Sequence, residues 1–320
     1  MGVAVTDMDR RWFLRAVGSA PLVCALLQST AACGRIGDGT AGPLHLVHDG
    51  ADVHVDITGG SMEPRLLTDW IQRSMDIVGH YYGRFPARRL RIRITVIDGH
   101  GVHGGTTYGT DGGFIRTRVG GGSTDAELSD DWVLVHEMVH LALPDVGEEH
   151  AWLSEGLAVY VEGIARAQAG NRTEQDVWAE QMRSMPRGLP QAGDRGLDRT
   201  HTWARTYWGG ALFCLLADVE IHRRTADRLG LQDAMRAVAR LSGGLTADWP
   251  IERVLSIADE ATGTRVLQDL YAKMKDTPIT PDLADLWRQM GIERDGNSVR
   301  LLKDAPLVQT REAIMRARQA

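Results

Sequence analysis

Cysteine is scarce: three residues in 320, at positions 24, 33 and 214, are too few and too scattered for a disulfide framework. Aromatic residues make up 6% of the chain. No apolar run reaches the roughly 20 residues that a membrane-spanning helix requires. The best candidate, Ala16–Ala32, is broken by Gly18, Pro21 and Gln28. There is no glycine-rich phosphate loop, no internal repeat and no low-complexity segment. Positive charge is in deficit, with 36 Lys and Arg against 42 Asp and Glu and a formal net charge of −6. That balance argues against a nucleic-acid partner. The length suffices for one large domain or two modest ones.

What the chain does contain is His136-Glu137-Met138-Val139-His140. On a helix, residues four apart share a face, so His136 and His140 can present two imidazole nitrogens to one metal ion. Glu137 follows the first of them, where its carboxylate can reach a water without being a ligand. The surrounding pattern predicts the helix. Thr124-Asp125-Ala126-Glu127 has capping-box form, and Leu128, Trp132, Val135 and Val139 make an apolar stripe at helical spacing. Pro144 closes the element. One helix from the capping box to just past His140 is expected.

Residues 141–154 separate His140 from Glu155, enough for a turn and the start of a second helix. Glu155, within Trp152-Leu153-Ser154-Glu155-Gly156-Leu157-Ala158, is the preferred third ligand; Glu148, Glu149 and His150 are its rivals. Gly156 lowers helix stability relative to Ala and points to a close helix approach. Two His and one Glu around a single Zn2+, with a fourth position left to water, suit hydrolysis rather than a structural role.

These two segments resemble the gluzincin branch of zinc metallopeptidases, which includes the aminopeptidase N and glycyl aminopeptidase families. The resemblance extends to Thr206-Tyr207-Trp208-Gly209-Gly210-Ala211-Leu212, similar to a Y-x-x-G-A stretch those families carry after the third ligand. It implies that Tyr207 stabilises the oxyanion; His201 and Arg205 lie close by and are secondary candidates for that work. The matching segments run from about residue 112 to 218, a third of the chain. One departure stands out. Aminopeptidase N relatives hold the substrate's free amine with a G-x-M-E-N motif, but Gly112–Thr117 has no Glu, and Gly60-Ser61-Met62-Glu63-Pro64 lies far too early.

The strand and helix pattern predicts an α+β fold, with a small N-terminal mixed-sheet lobe (44–125), a helical lobe (126–290) and a C-terminal extension (291–320), and the resemblance implies a zincin-like core. Short strands are predicted on either side of Asp49-Gly50, a helix over 66–82 and an alternating strand over 90–96. Gly101–Gly113 is rich in Gly and Thr and reads as a mobile loop. Phe114–Val119 is expected as a strand whose counterpart in gluzincins is the edge that pairs with substrate. Helices are predicted over 174–183, 203–224, 231–241, 250–260, 264–275 and 281–290. Met185–Arg199 reads either as a loop over the site or as a plain connector.

Asp9-Arg10-Arg11-Trp12-Phe13-Leu14-Arg15 resembles a twin-arginine export signal, and Thr30-Ala31-Ala32-Cys33-Gly34 a bacterial lipobox. Residues 1–32 are read as the leader and 33–43 as a linker. Cys33 is then either lipidated, anchoring the protein to a membrane surface, or left unmodified after cleavage. An exported zinc-dependent peptidase of the bacterial cell envelope, acting on peptides or proteins, is the function implied. The alternatives are an inactive zincin-fold binding protein and a zinc hydrolase of a non-peptide bond.

Overall fold

A computed structural model describes residues 43–317. The leader and Cys33 lie outside the described residues. The N-terminal part is a five-stranded sheet in the order β1-β2-β3-β5-β4. The strands are β1 Leu44–His48, β2 Ala51–Gly59, β3 Arg89–Ile97, β4 Val102–Tyr108 and β5 Phe114–Gly120. The β1–β2 and β4–β5 pairs are antiparallel; β2–β3 and β3–β5 are parallel. The parallel β2–β3 pair needs a crossover, which α1 (Pro64–Tyr82) supplies. Its Leu67, Trp70, Ile71, Met75 and Val78 recur at helical spacing and are buried, as are Val53, Val55, Leu90, Ile92, Ile94 and Ile115 from alternate positions of the strands. The other face of the sheet is mainly polar, with Val47, Tyr108 and Phe114 among its apolar members.

Two expectations change here. Gly101–Gly113 is largely strand β4, which bulges between Val102 and Gly105 and is the edge of the sheet. Phe114–Val119 is consequently an interior strand, flanked by β3 and β4. Glycine-rich composition imitates a loop, but Gly105 serves another purpose. A Cβ there would lie 2.5 Å from Glu137 Cγ, so only glycine lets the edge approach that carboxylate.

The capping box also belongs to a different helix from the one expected. Thr124 and Glu127 cap reciprocally, but they cap α2 (Asp125–Ser129), which stops before α3 (Val133–His140) starts. The interruption has a cause. The Asp131 carboxylate accepts from Val133 N at 2.9 Å and Leu134 N at 3.0 Å, starting a fresh helix. Buried Arg166 meanwhile fixes Asp130 through its backbone and side-chain oxygens, both at 3.1 Å.

Beyond α3 the chain is helical: α4 Ala151–Gln168, α5 Glu174–Ser184, a π-turn at Arg205–Gly209 that runs into α6 Gly210–Thr225, then α7 Leu231–Ser242, α8 Ile251–Thr262, α9 Val266–Met274 and α10 Leu283–Gln289. A hairpin of β6 (Ile292–Asp295) and β7 (Ser298–Leu301) precedes α11 (Val308–Met315). Ile292, Val299 and Ile314 join the same buried cluster as the sheet and α3. Cys214 is buried in α6 as a free thiol. Among the described residues no helix is long and apolar enough to cross a membrane.

Candidate active site

All eight residues of α3 are buried, with His140, at 9% exposure, keeping an edge toward the cleft. The Nε2 atoms of His136 and His140 are 3.3 Å apart. Glu155 Oε2 approaches from α4, 3.3 Å from His136 Nε2 and 3.6 Å from His140 Nε2. Donors about 2.0–2.1 Å from a tetrahedral zinc lie about 3.3–3.4 Å from one another, so this triangle has the dimensions of three such ligands. The donor set, two imidazoles and a carboxylate, fits the same ion. Ser154 Oγ lies 2.9 Å from His140 Nδ1 and fixes the ring from behind. Burial disfavours the charged imidazolium of His140, but the Glu155 carboxylate outweighs it and raises the pKa. Burial likewise works against the Glu155 anion, yet the two histidines hold its pKa far below the usual carboxylate range. The rivals stand elsewhere: Glu148 and Glu149 sit on a 3-10 turn, and His150 Nδ1 faces Asp198 at 3.2 Å.

Glu137 is 2% exposed. Burial pushes its pKa up, partly offset by His140 and His136. The Thr107 hydroxyl of β4 lies 2.6 Å from Glu137 Oε2.

Tyr207 comes from the π-turn, its ring nearly parallel to that of His136 with centroids 6.4 Å apart. Its phenol is driven well above the ordinary range, chiefly by burial and then by the negative charges of Glu155 and Glu137. The approach of this turn to α4 depends on Gly156, where a Cβ would lie 2.2 Å from the carbonyl carbon of Gly210. Close helix contact at Gly156, expected from sequence, is thus what the packing requires.

The secondary candidates are elsewhere. Arg205 is 2% exposed; its Nε pairs with Asp194 at 2.7 Å and its Nη1 donates to the Gly188 carbonyl at 2.5 Å. A guanidinium committed to those partners is a brace and does not line the cleft. His201 is exposed and also outside the cleft lining. The segment 185–199 is a connector rather than a cover. Asp198 accepts from Trp152 Nε1 at 2.8 Å and from the Tyr271 hydroxyl at 2.7 Å, tying the segment to α4 from behind.

Glu137, His140, Ser154, Glu155 and Tyr207 open onto a cleft of about 660 Å³, whose other wall is β4 with Arg93, Arg116 and Arg118 from the neighbouring strands. Sequence reasoning missed Thr107, Ser154 and these arginines. Only the alternation of Arg with apolar residues along 89–93 and 114–118 hinted that the arginines share one exposed sheet face.

No family model matches the sequence, and neither does any curated protein. Solved structures do match in fold. An aminopeptidase N family protein from Idiomarina loihiensis superposes with a TM-score of 0.56 at 14% identity, over 83% of this chain and 53% of that one. An M1 zinc metallopeptidase from Deinococcus radiodurans gives 0.47 at 16% identity, over 76% of this chain and 52% of that one. Native yeast LTA4 hydrolase gives 0.45 at 14%, over 78% and 43%. The first carries the likeness, which is one of fold: an α+β, zincin-like core with a mixed sheet ahead of a helical region. This chain spans about half the length of that structure.

Proposed function

We propose that the protein is a zinc-dependent hydrolase of peptide bonds that works in the cell envelope, with His136, His140 and Glu155 as the zinc ligands. The convergence of two Nε2 atoms and one carboxylate oxygen at 3.3–3.6 Å, with Glu137 and Tyr207 on the same cleft, carries this reading. Zinc bound there supplies Lewis acidity, polarising the scissile carbonyl and acidifying an attacking water.

The chain's own groups do the rest. Thr107 engages Oε2 of Glu137, so Oε1 is left to accept the water's proton, which the same carboxyl then delivers to the leaving amine. Tyr207, kept protonated by burial, donates a hydrogen bond to the oxyanion. Among the described residues no strand lies beside the outer edge of β4, so an extended peptide can pair with the main-chain groups there.

The carboxylates lining the cleft are Glu137 and Glu155, and both already have roles. With no third one among the described residues to grip a free α-amine, cleavage within a chain is favoured over removal of its first residue. The envelope setting rests on the twin-arginine resemblance at Arg10-Arg11, and a lipid anchor on Cys33.

The test is a broad peptide library digested by the zinc-loaded protein, with and without a chelator. Chelator-sensitive cleavage is the expected outcome. Full zinc occupancy without cleavage of any member would overturn the peptide reading and leave a non-peptide bond or a binding role.

A further inference from the structure

The exposed face of the sheet beside the cleft is basic, although the chain as a whole is acidic at −6. Arg93 on β3 and Arg116 on β5 are direct cross-strand partners, and Arg118 follows two residues on, on the same face. Like charges placed opposite one another weaken a sheet, so fold stability gives no reason for the pair. Arg93 is 3.8 Å from Asp56, which is already engaged by Arg91 at 2.6 Å. Among the described residues no carboxylate forms an ion pair with Arg116 or Arg118. Both are nonetheless held in place. The Arg116 guanidinium lies over the Tyr108 ring at 5.9 Å, and Arg118 Nη2 donates to the His103 carbonyl at 3.3 Å.

The edge strand is low in front of these arginines. Thr106 is the β4 partner of Arg116, and the bulge at Gly104 and Gly105 stands before Arg118. All three arginines, Thr106 and Gly104 line the same cleft as Glu137. A peptide added as the next strand outside β4 would run two strand spacings, about 10 Å, from β5. An extended Arg and a Glu side chain together bridge that gap over Thr106 and Gly104. Every second side chain of such a peptide points to this face.

Resting on the peptidase reading above, we infer that Arg116 and Arg118, with Arg93 one strand behind them adding positive charge, form a subsite for carboxylate side chains, so that the preferred substrate is an acidic peptide with Asp or Glu at alternate positions. The arginines hold the substrate and take no part in bond cleavage. Charge on the intervening residues, which point to the opposite face, earns no preference.

Binding separates this inference from the question of catalysis. The zinc-loaded Glu137→Gln protein is titrated with fluorescein-labelled peptides that differ only in carrying Glu, Gln or Lys at alternate positions, and anisotropy is read. The Glu peptide should bind about tenfold tighter than its Gln counterpart, as expected for charge-assisted pairs. About 0.5 M salt should erase most of that difference. Adding R116Q and R118Q together should bring the Glu-to-Gln ratio close to one, while R116K with R118K should keep part of it. Equal binding of the Glu and Gln peptides by the arginine-bearing protein overturns the subsite. So does a preference that survives R116Q/R118Q. Neither result depends on whether any peptide is cleaved; for peptides that are cleaved, the Glu-to-Gln ratio of kcat/KM should move in parallel.

Discussion

Thr107 touches Glu137 twice: its hydroxyl lies 2.6 Å from the Oε2 carboxylate oxygen and 2.9 Å from the backbone carbonyl of the same residue. The edge of the sheet and α3 are thereby joined at the residue proposed as general base. Thr107→Val keeps the shape and removes the bond. A hydrogen bond to a charged group contributes about 1.5–3 kcal/mol, so kcat should fall roughly 10- to 100-fold. Zinc content should stay unchanged, read by elemental analysis of the same preparation.

Glu137→Gln tests the base directly. The amide keeps the size but cannot accept the water's proton, so turnover should be abolished while one zinc per chain remains. Retained hydrolysis would remove Glu137 from the mechanism; loss of zinc would place it among the ligands.

Tyr207→Phe should lower kcat by one to three orders of magnitude, roughly the range for a lost oxyanion donor. Burial raises the phenol's pKa, so the hydroxyl stays protonated as pH rises through the assay range. The alkaline limb of the rate profile should therefore have the same midpoint in wild type and variant. A limb that vanishes with the hydroxyl would show Tyr207 titrating.

Gly156→Ala should destabilise the fold and loosen the metal together. Its Cβ would sit 2.2 Å from Gly210 C, and backbone cannot step aside as a flexible side chain can. Overpacking of this kind costs about 1–3 kcal/mol, measurable by urea unfolding of the chelated protein. Because Glu155 is the adjacent residue, zinc affinity should fall as well; unchanged affinity would mean that the helix moves without its ligand.

Asp131→Ala removes the cap of α3. The loss should be about 0.5–2 kcal/mol, and its indole partner Trp70 Nε1, now 3.1 Å from Oδ2, loses its acceptor too. Thermal unfolding of the metal-free variant reads it.

The convergence of His136 and His140 was legible because helical spacing fixes which residues share a face, and Gly156 announced a close contact by its poor helix propensity. The strand at 90–96 was legible for the parallel reason, its strict alternation. The edge strand was not. At Gly104 and Gly105 the composition reads as a loop, while the actual need for glycine comes from Glu137, thirty-two residues after Gly105 in the chain. Local signals also misled at the capping box. Its chemistry is real, but Asp131 restarts the helix, and the partner that stabilises the break, Arg166, lies on α4. Arg205 looked free to act on substrate until Asp194 and the Gly188 carbonyl, distant in sequence, claimed it.

Backbone-to-backbone contact between Gly156 and Gly210 has a consequence for how the cleft can breathe. Glu155 and Tyr207 ride on one inflexible jaw, with no side chains at the crossing to repack and give slack. The opposing jaw is β4, secured by a ladder on a single side. The cleft has more freedom to widen at that strand than at the glycine crossing, and because Thr107 is hydrogen-bonded to Glu137, an outward shift of the strand either draws that carboxylate along or breaks the bond.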